Sequence, residues 1–216
     1  MTIRAVVFDV YGTLVRIGER RAPFRALLTR LEAAGRPRRA EDAALIMSRE
    51  LDLADTAVLL GADPSAPELA ASLDLASLQR DLGEELGSIR LFPETLAVMQ
   101  ALAARGLKLG LCSNLAAPYA APVLRLLPFA LDAYAWSFEV GAIKPDPAIY
   151  AEVCRRLGCQ PAEVLFVGDT PEADLHGPRR YGMRSLLLRR DGLREGDDAA
   201  DTIADLNGVL AALDAR

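Results

Sequence analysis

The stretch IRAVVFDVYGTLV, Ile3 to Val15, sets the frame for the rest of the chain. Ile3, Ala5, Val6, Val7 and Phe8 make an apolar run of strand length, as in a parallel sheet covered on both faces. The run stops at Asp9, and Gly12-Thr13 marks a turn. A carboxylate at the C-terminal tip of a central strand stands where open α/β sheets bind their ligands. A strand followed by an ordinary Asp-containing turn reads the same way, because Asp and Gly are common in turns. The downstream sequence separates the two.

After Val15 the pattern turns helical. The spacing predicts helices over Arg20 to Ala34, Ala40 to Leu60 and Pro67 to Leu86, broken at Gly35-Arg36-Pro37 and Gly61-Ala62-Asp63-Pro64. Leu27, Leu28 and Leu31 share one face, as do Leu51, Ala54, Val58 and Leu59 on the next helix. No strand is expected between Arg16 and Ser88, so residues 16–88 read as an all-helical insert. From Arg90 strands and helices alternate. Strands are expected at Lys108 to Cys112, Ala133 to Phe138, Val164 to Val167 and Ser185 to Leu188. Helices are expected at Phe92 to Ala104, Pro118 to Leu127, Pro147 to Leu157, Glu172 to Tyr181 and Thr202 to Leu213. Such units imply an α/β fold: a Rossmann-like parallel sheet with helices on both faces, built from residues 1–15 and 89–216, plus the inserted helical cap.

Composition narrows the class. In 216 residues, 51% hydrophobic content supports a sizeable core, and a net charge of -5 argues against a nucleic-acid partner. Cys112, Cys154 and Cys159 form no metal-binding or redox spacing, and Cys112 lies in an apolar run, so reduced thiols are expected. A single histidine, His176, leaves no pair for His-based mechanisms. With no leader-like or membrane-length apolar segment, a cytoplasmic protein without a membrane partner is expected.

The strand ends carry the chemistry. The first offers Asp9, the second Ser113 and Asn114, and the fourth Asp169 with Asp174 five residues on; Lys144 precedes a helix in Ile143-Lys-Pro-Asp-Pro147. Strand ends of a parallel sheet share one edge. Converging carboxylates there suit a hard divalent cation such as Mg²⁺. They also repel, so a cation or Lys144 must keep them ionised. A carboxylate can act as a nucleophile through an aspartyl intermediate.

Four segments, Asp9-Val-Tyr-Gly-Thr-Leu14, Cys112-Ser-Asn114, Ile143-Lys-Pro-Asp146 and Gly168-Asp-Thr-Pro-Glu-Ala-Asp174, resemble in order and placement the motifs of the haloacid dehalogenase-like (HAD) hydrolase superfamily. The resemblance is to the subgroup with a helical cap after the first strand. It implies that Asp9 is the nucleophile and that Ser113 and Lys144 bind the transferred group. It further implies that Tyr11, Gly12, Thr13 and Asn114 meet the substrate. Mg²⁺ would be held by Asp9, the Tyr11 carbonyl and Asp169, supported by Asp174.

One position departs from that pattern. Phosphatases of the superfamily usually carry a second Asp two residues after the nucleophile, as general acid; here Tyr11 stands there. Losing such an acid costs roughly 10²–10⁴ in rate. Tyr at this position resembles the 2-haloacid dehalogenases, whose halide leaves without a proton, but those enzymes lack the acidic Gly168-Asp169 type of motif. Those enzymes also need an arginine or an apolar pocket for the halide; Arg16, Arg20, Arg25 and Arg49 are candidates by their location in the cap region alone. The expected activity is therefore Mg²⁺-dependent hydrolysis of a small, anionic phosphorylated substrate. Carbon–halogen hydrolysis and a weakened binding or regulatory homologue are the alternatives. The chain is expected to be a monomer or homodimer.

Overall fold

The computed structural model describes residues 2–62 and 72–215. Its strands are β1 (Ala5–Phe8), β2 (Val15–Ile17), β3 (Ile89–Leu91), β4 (Lys108–Ser113), β5 (Ala133–Trp136), β6 (Val164–Gly168), β7 (Arg184–Leu188) and β8 (Thr202–Ile203). Six of them form one parallel sheet in the order β5-β4-β1-β6-β7-β8. β1 lies at the centre, pairing Phe8 with Leu111 on one side and Val167 on the other.

The side-chain alternation of β1 builds two cores. Val6 and Phe8 join Leu109, Leu111, Leu165 and Val167 against the helices Thr95–Ala104 and Asn207–Asp214. Ala5 and Val7 join Cys112, Val164 and Phe166 against the helix Pro147–Leu157. That helix shows why such a segment folds locally. The Asp146 side chain accepts from the Ala148 N–H at 2.8 Å, Pro147 opens the first turn, and Gly158 closes the end at positive φ. Burying both faces explains why these strands read as continuous apolar runs.

Where expectation and structure part, the missed elements are short. β2 and β3 form an antiparallel ribbon, Val15 opposite Leu91, so Arg16 and Ile17 are extended rather than helical. The expected Ala40 to Leu60 helix is two, Asp42–Met47 and Leu53–Leu59, because the Asp52 carboxylate caps Asp55 N–H and starts the second. Its buried face is Leu53, Thr56 and Ala57; Val58 and Leu59 are exposed. The first inserted helix starts at Pro23, not Arg20. The helix expected over Pro67 to Leu86 is described as Leu75–Gly87, and its expected start at Pro67 lies outside the described residues. Thr202 and Ile203 add the edge strand β8 before the last helix. Phe138 belongs to the short helix Ser137–Val140. The chain is π-helical over Pro171–His176 and α-helical from Gly177 to Tyr181.

The helices between β2 and β3 have a cluster of their own, centred on Leu27, Leu31, Leu53, Leu78 and Leu82. All three cysteines are free and buried. Among the described residues, no helix is long and apolar enough to cross a membrane.

Candidate active site

Asp9 follows β1 directly, and the register of the central pairings sets it beside the ends of β4 and β6. Its N–H donates to the Val167 carbonyl at 2.9 Å, which fixes its main chain against β6. Asp9 Oδ1 accepts from Ser113 Oγ at 3.0 Å and from Lys144 Nζ at 2.9 Å. Lys144 Nζ also donates to Asp174 Oδ1 at 2.6 Å, and Asp174 Oδ2 accepts from the Thr170 N–H at 2.9 Å. Lys144 and Asp174 are almost wholly buried, with side chains 2% and 1% exposed. Burial works against the Lys144 ammonium, but Asp174 and Asp9 together outweigh it and its pKa rises, so the lysine stays charged.

Asp169 stands on the other side of Asp9. One carboxylate oxygen from each of Asp9, Asp169 and Asp174 falls within 4.8 Å of the others. Burial first, and the Asp9 charge second, raise the pKa of Asp169. Burial likewise pushes the Asp174 carboxyl up to about 6, with Lys144 pulling it down and Asp9 adding to the rise. Two of these three carboxylates, Asp9 and Asp174, pair with one ammonium, and Asp169 pairs with none among the described residues. Both Asp174 oxygens are engaged, whereas Asp9 Oδ2 has only a 3.4 Å contact from Thr13 Oγ1 and Asp169 Oδ1 a 3.2 Å contact from Thr170 Oγ1. An all-oxygen donor set with excess negative charge fits a hard divalent cation.

Gly12 permits this crowding. Its φ is +90°, and a Cβ there would lie 2.2 Å from Asp169 Oδ2. Thr13, expected to meet substrate, is fully buried with its hydroxyl turned toward Asp9, so it supports that carboxylate from below. Asn114, also expected to meet substrate, uses its side-chain amide on main chain. It donates to the Lys144 carbonyl at 2.9 Å and accepts from the Lys144 N–H at 2.7 Å, which fixes where the lysine enters. Asn114 still borders the neighbouring cavity, as does Tyr11. The Tyr11 hydroxyl donates to the Tyr119 carbonyl at 2.8 Å. Burial, and then Glu85, raise its pKa, so it is a neutral phenol.

Sequence motifs did not reveal four further residues. Arg189 and Arg190 leave the end of β7. Arg189 pairs with Asp197 and donates to the Asp169 carbonyl at 2.7 Å. Arg190 donates to the carbonyls of Gly12 and Thr13, pairs with Glu94 and stacks 3.5 Å from the Phe92 ring centroid. Two arginines at an apolar strand tip on the binding edge were the available signal. Glu85, from the inserted helices, is buried; it accepts from Arg21 and Ala22 N–H and from the Tyr119 hydroxyl at 2.7 Å. Tyr119 thereby joins the insert to Tyr11.

Comparison with known proteins shows the family of the chain. The family model for haloacid dehalogenase-like hydrolase matches residues 3–182. Phosphoglycolate phosphatase of Salmonella typhimurium is 32% identical over 235 aligned positions, covering 98% of this chain and 92% of that protein. Glyceraldehyde 3-phosphate phosphatase of Methanopyrus kandleri is 32% identical over 149 positions, 66% of this chain and 62% of that one. Among solved structures, the HAD phosphatase from Thermococcus onnurineus has a TM-score of 0.62 at 23% identity, covering 98% of both chains. The 2-haloacid dehalogenase from Pseudomonas syringae pv. Tomato DC3000 has a TM-score of 0.64 at 24% identity, covering 99% of both. These two share the fold. With its motifs, sheet order and family match in agreement, the chain belongs to the haloacid dehalogenase-like hydrolases.

Proposed function

We propose that the protein is a Mg²⁺-dependent phosphatase acting on a small phosphorylated molecule through a phosphoryl group carried on Asp9, with residues 16–88 as its cap. The observation that carries this reading is the carboxylate group of Asp9, Asp169 and Asp174, gathered within 4.8 Å with one lysine pairing only the first and last. Dehalogenation needs no such excess of negative charge. The phosphatase names of the 32% identical relatives point the same way.

Asp9 attacks phosphorus with a carboxylate oxygen as the bond from phosphorus to the leaving oxygen breaks; water then cleaves the acyl phosphate and restores the carboxylate. Ser113 and Lys144, both bonded to Oδ1, fix the orientation of that carboxylate and place positive charge beside the incoming phosphoryl group. Asp9, Asp169 and the Tyr11 carbonyl would hold the Mg²⁺, with Asp174 anchoring Lys144. The ion, when bound, neutralises charge on the phosphoryl oxygens. Tyr11 is the weak point: a phenol donating to a main-chain carbonyl is a poor acid for the leaving oxygen. Substrates with good leaving groups should therefore turn over fastest.

Tyr11 is also the observation that favours a second reading, hydrolysis of a carbon–halogen bond. Two assays separate them. Phosphate release from an aryl phosphate, present with Mg²⁺ and lost with EDTA, supports the first. Metal-independent halide release from 2-chloropropionate supports the second. Silence in both with retained Mg²⁺ binding leaves the regulatory homologue.

A further inference from the structure

Beside the Asp9 edge lies a cavity of about 680 Å³ between the inserted helices and the sheet. Its floor on the sheet side is Tyr11, Asn114, Leu115 and Tyr119, and its far wall is Phe24, Leu28, Ile46 and Met47. Arg20, Arg25, Arg38 and Arg39 also line it. Its two acidic lining residues are already satisfied. Asp42 is held by Arg36 and by the Arg39 N–H, and Glu85 by two main-chain N–H groups and the Tyr119 hydroxyl. Among the described residues, the guanidinium groups of Arg20, Arg25 and Arg39 have no ion pair or hydrogen bond, and Arg38 donates to Thr29 Oγ1 at 3.2 Å. The cavity is thus apolar in its walls and positive in net charge.

That combination describes a ligand. Cavities of roughly 300–1,000 Å³ hold drug-sized molecules. A two- or three-carbon phosphate ester, the size that the relatives' names denote, would leave most of this one to water. Apolar walls favour an apolar body, and unpaired guanidinium groups favour a carboxylate or phosphate, which they bind bidentately.

We infer that this cavity is the subsite for the non-reacting end of the substrate. That substrate is a phosphate ester with an apolar body longer than three carbons, ending in a second anionic group. The inference rests on phosphoryl chemistry at Asp9 for the other end, and binding is measured apart from turnover so that the two stand or fall separately.

The probes are non-hydrolysable phosphonates studied by calorimetry with the full chain and Mg²⁺: phosphonoacetate, phenylphosphonate and 4-carboxyphenylphosphonate. The carboxylated aryl probe should bind roughly tenfold or more tighter than phenylphosphonate, as charge-assisted hydrogen bonds allow, and phosphonoacetate should be weakest. In the Arg20→Gln/Arg25→Gln/Arg39→Gln variant, the advantage of the carboxylated probe over phenylphosphonate should fall to about one. Phosphonoacetate binding tightest, or equal affinities for the two aryl probes, overturns the inference, as does a carboxylate advantage that survives in the variant. Release of phosphate from the matching aryl phosphates then reports on Asp9 alone. Preferred binding without any turnover overturns the phosphatase reading and leaves the subsite standing.

Discussion

Replacing Lys144 by Met tests how the site's charge is balanced. The ammonium donates to Asp9 at 2.9 Å and to Asp174 at 2.6 Å, and both Lys144 and Asp174 are almost wholly buried. Methionine keeps much of the volume and removes the charge. Breaking a buried pair by deleting one partner costs about 3–5 kcal/mol, because it leaves uncompensated charge behind. Here the charge left behind is a carboxylate that can take up a proton. Burial already pushes Asp174 up to about 6 with the lysine present, and without it the pKa rises further. A carboxyl whose pKa is raised by folding holds a proton that the unfolded chain has released. Stability therefore falls as pH rises from the unfolded value through the folded one, by up to about 1.4 kcal/mol per pH unit. The deficit of Lys144→Met relative to wild type should be small near about pH 5.5 and large near about pH 8. Urea denaturation in EDTA, followed by the fluorescence of the single, buried Trp136, reads it directly. A deficit that is equal at both pH values, or that shrinks as pH rises, would rule this charge balance out.

Other substitutions probe the remaining parts of the site. Tyr11→Asp should supply the missing acid and raise kcat on esters with poor leaving groups, by up to roughly 10²–10⁴; an unchanged kcat would show that leaving-group protonation does not limit the reaction. Gly12→Ala would place a methyl 2.2 Å from Asp169 Oδ2 at a φ of +90°. It should cost about 1–3 kcal/mol in thermal denaturation and weaken Mg²⁺ binding by calorimetry, whereas wild-type behaviour in both would mean the turn has room to spare. Arg190→Met keeps a chain against Phe92 but removes the donors to Gly12 and Thr13. A loss of about 1–3 kcal/mol is expected, together with a higher Mg²⁺ half-saturation; a stability loss with unchanged Mg²⁺ dependence would make the arginine merely structural.

How much of this was legible depended on how local each determinant is. The strands β1, β4 and β6 were readable because burial on both faces forces unbroken apolar runs. Their shared edge, together with the four motifs, then pointed to Asp9, Ser113 and Asp169. β2, β3 and β8 have two or three residues each, too few for a period, and exist because a distant segment pairs with them. The break at Asp52 turns on one side-chain cap inside an otherwise helical pattern. Thr13 and Asn114 match the motif, but what each touches is fixed by tertiary packing. The clamps from Arg189 and Arg190 and the link from Glu85 to Tyr119 join residues far apart in sequence, to which no local periodicity points.

The proposed phosphatase chemistry depends on a covalent bond to Asp9. Acid-quenching the enzyme during turnover of an aryl phosphate with Mg²⁺, digesting it and mapping the peptides by mass spectrometry looks for that bond itself. A phosphoryl group on the peptide containing Asp9, absent from Asp9→Asn, is the expected result. Turnover with no phosphoryl adduct on that peptide, or with undiminished phosphate release from Asp9→Asn, would contradict it.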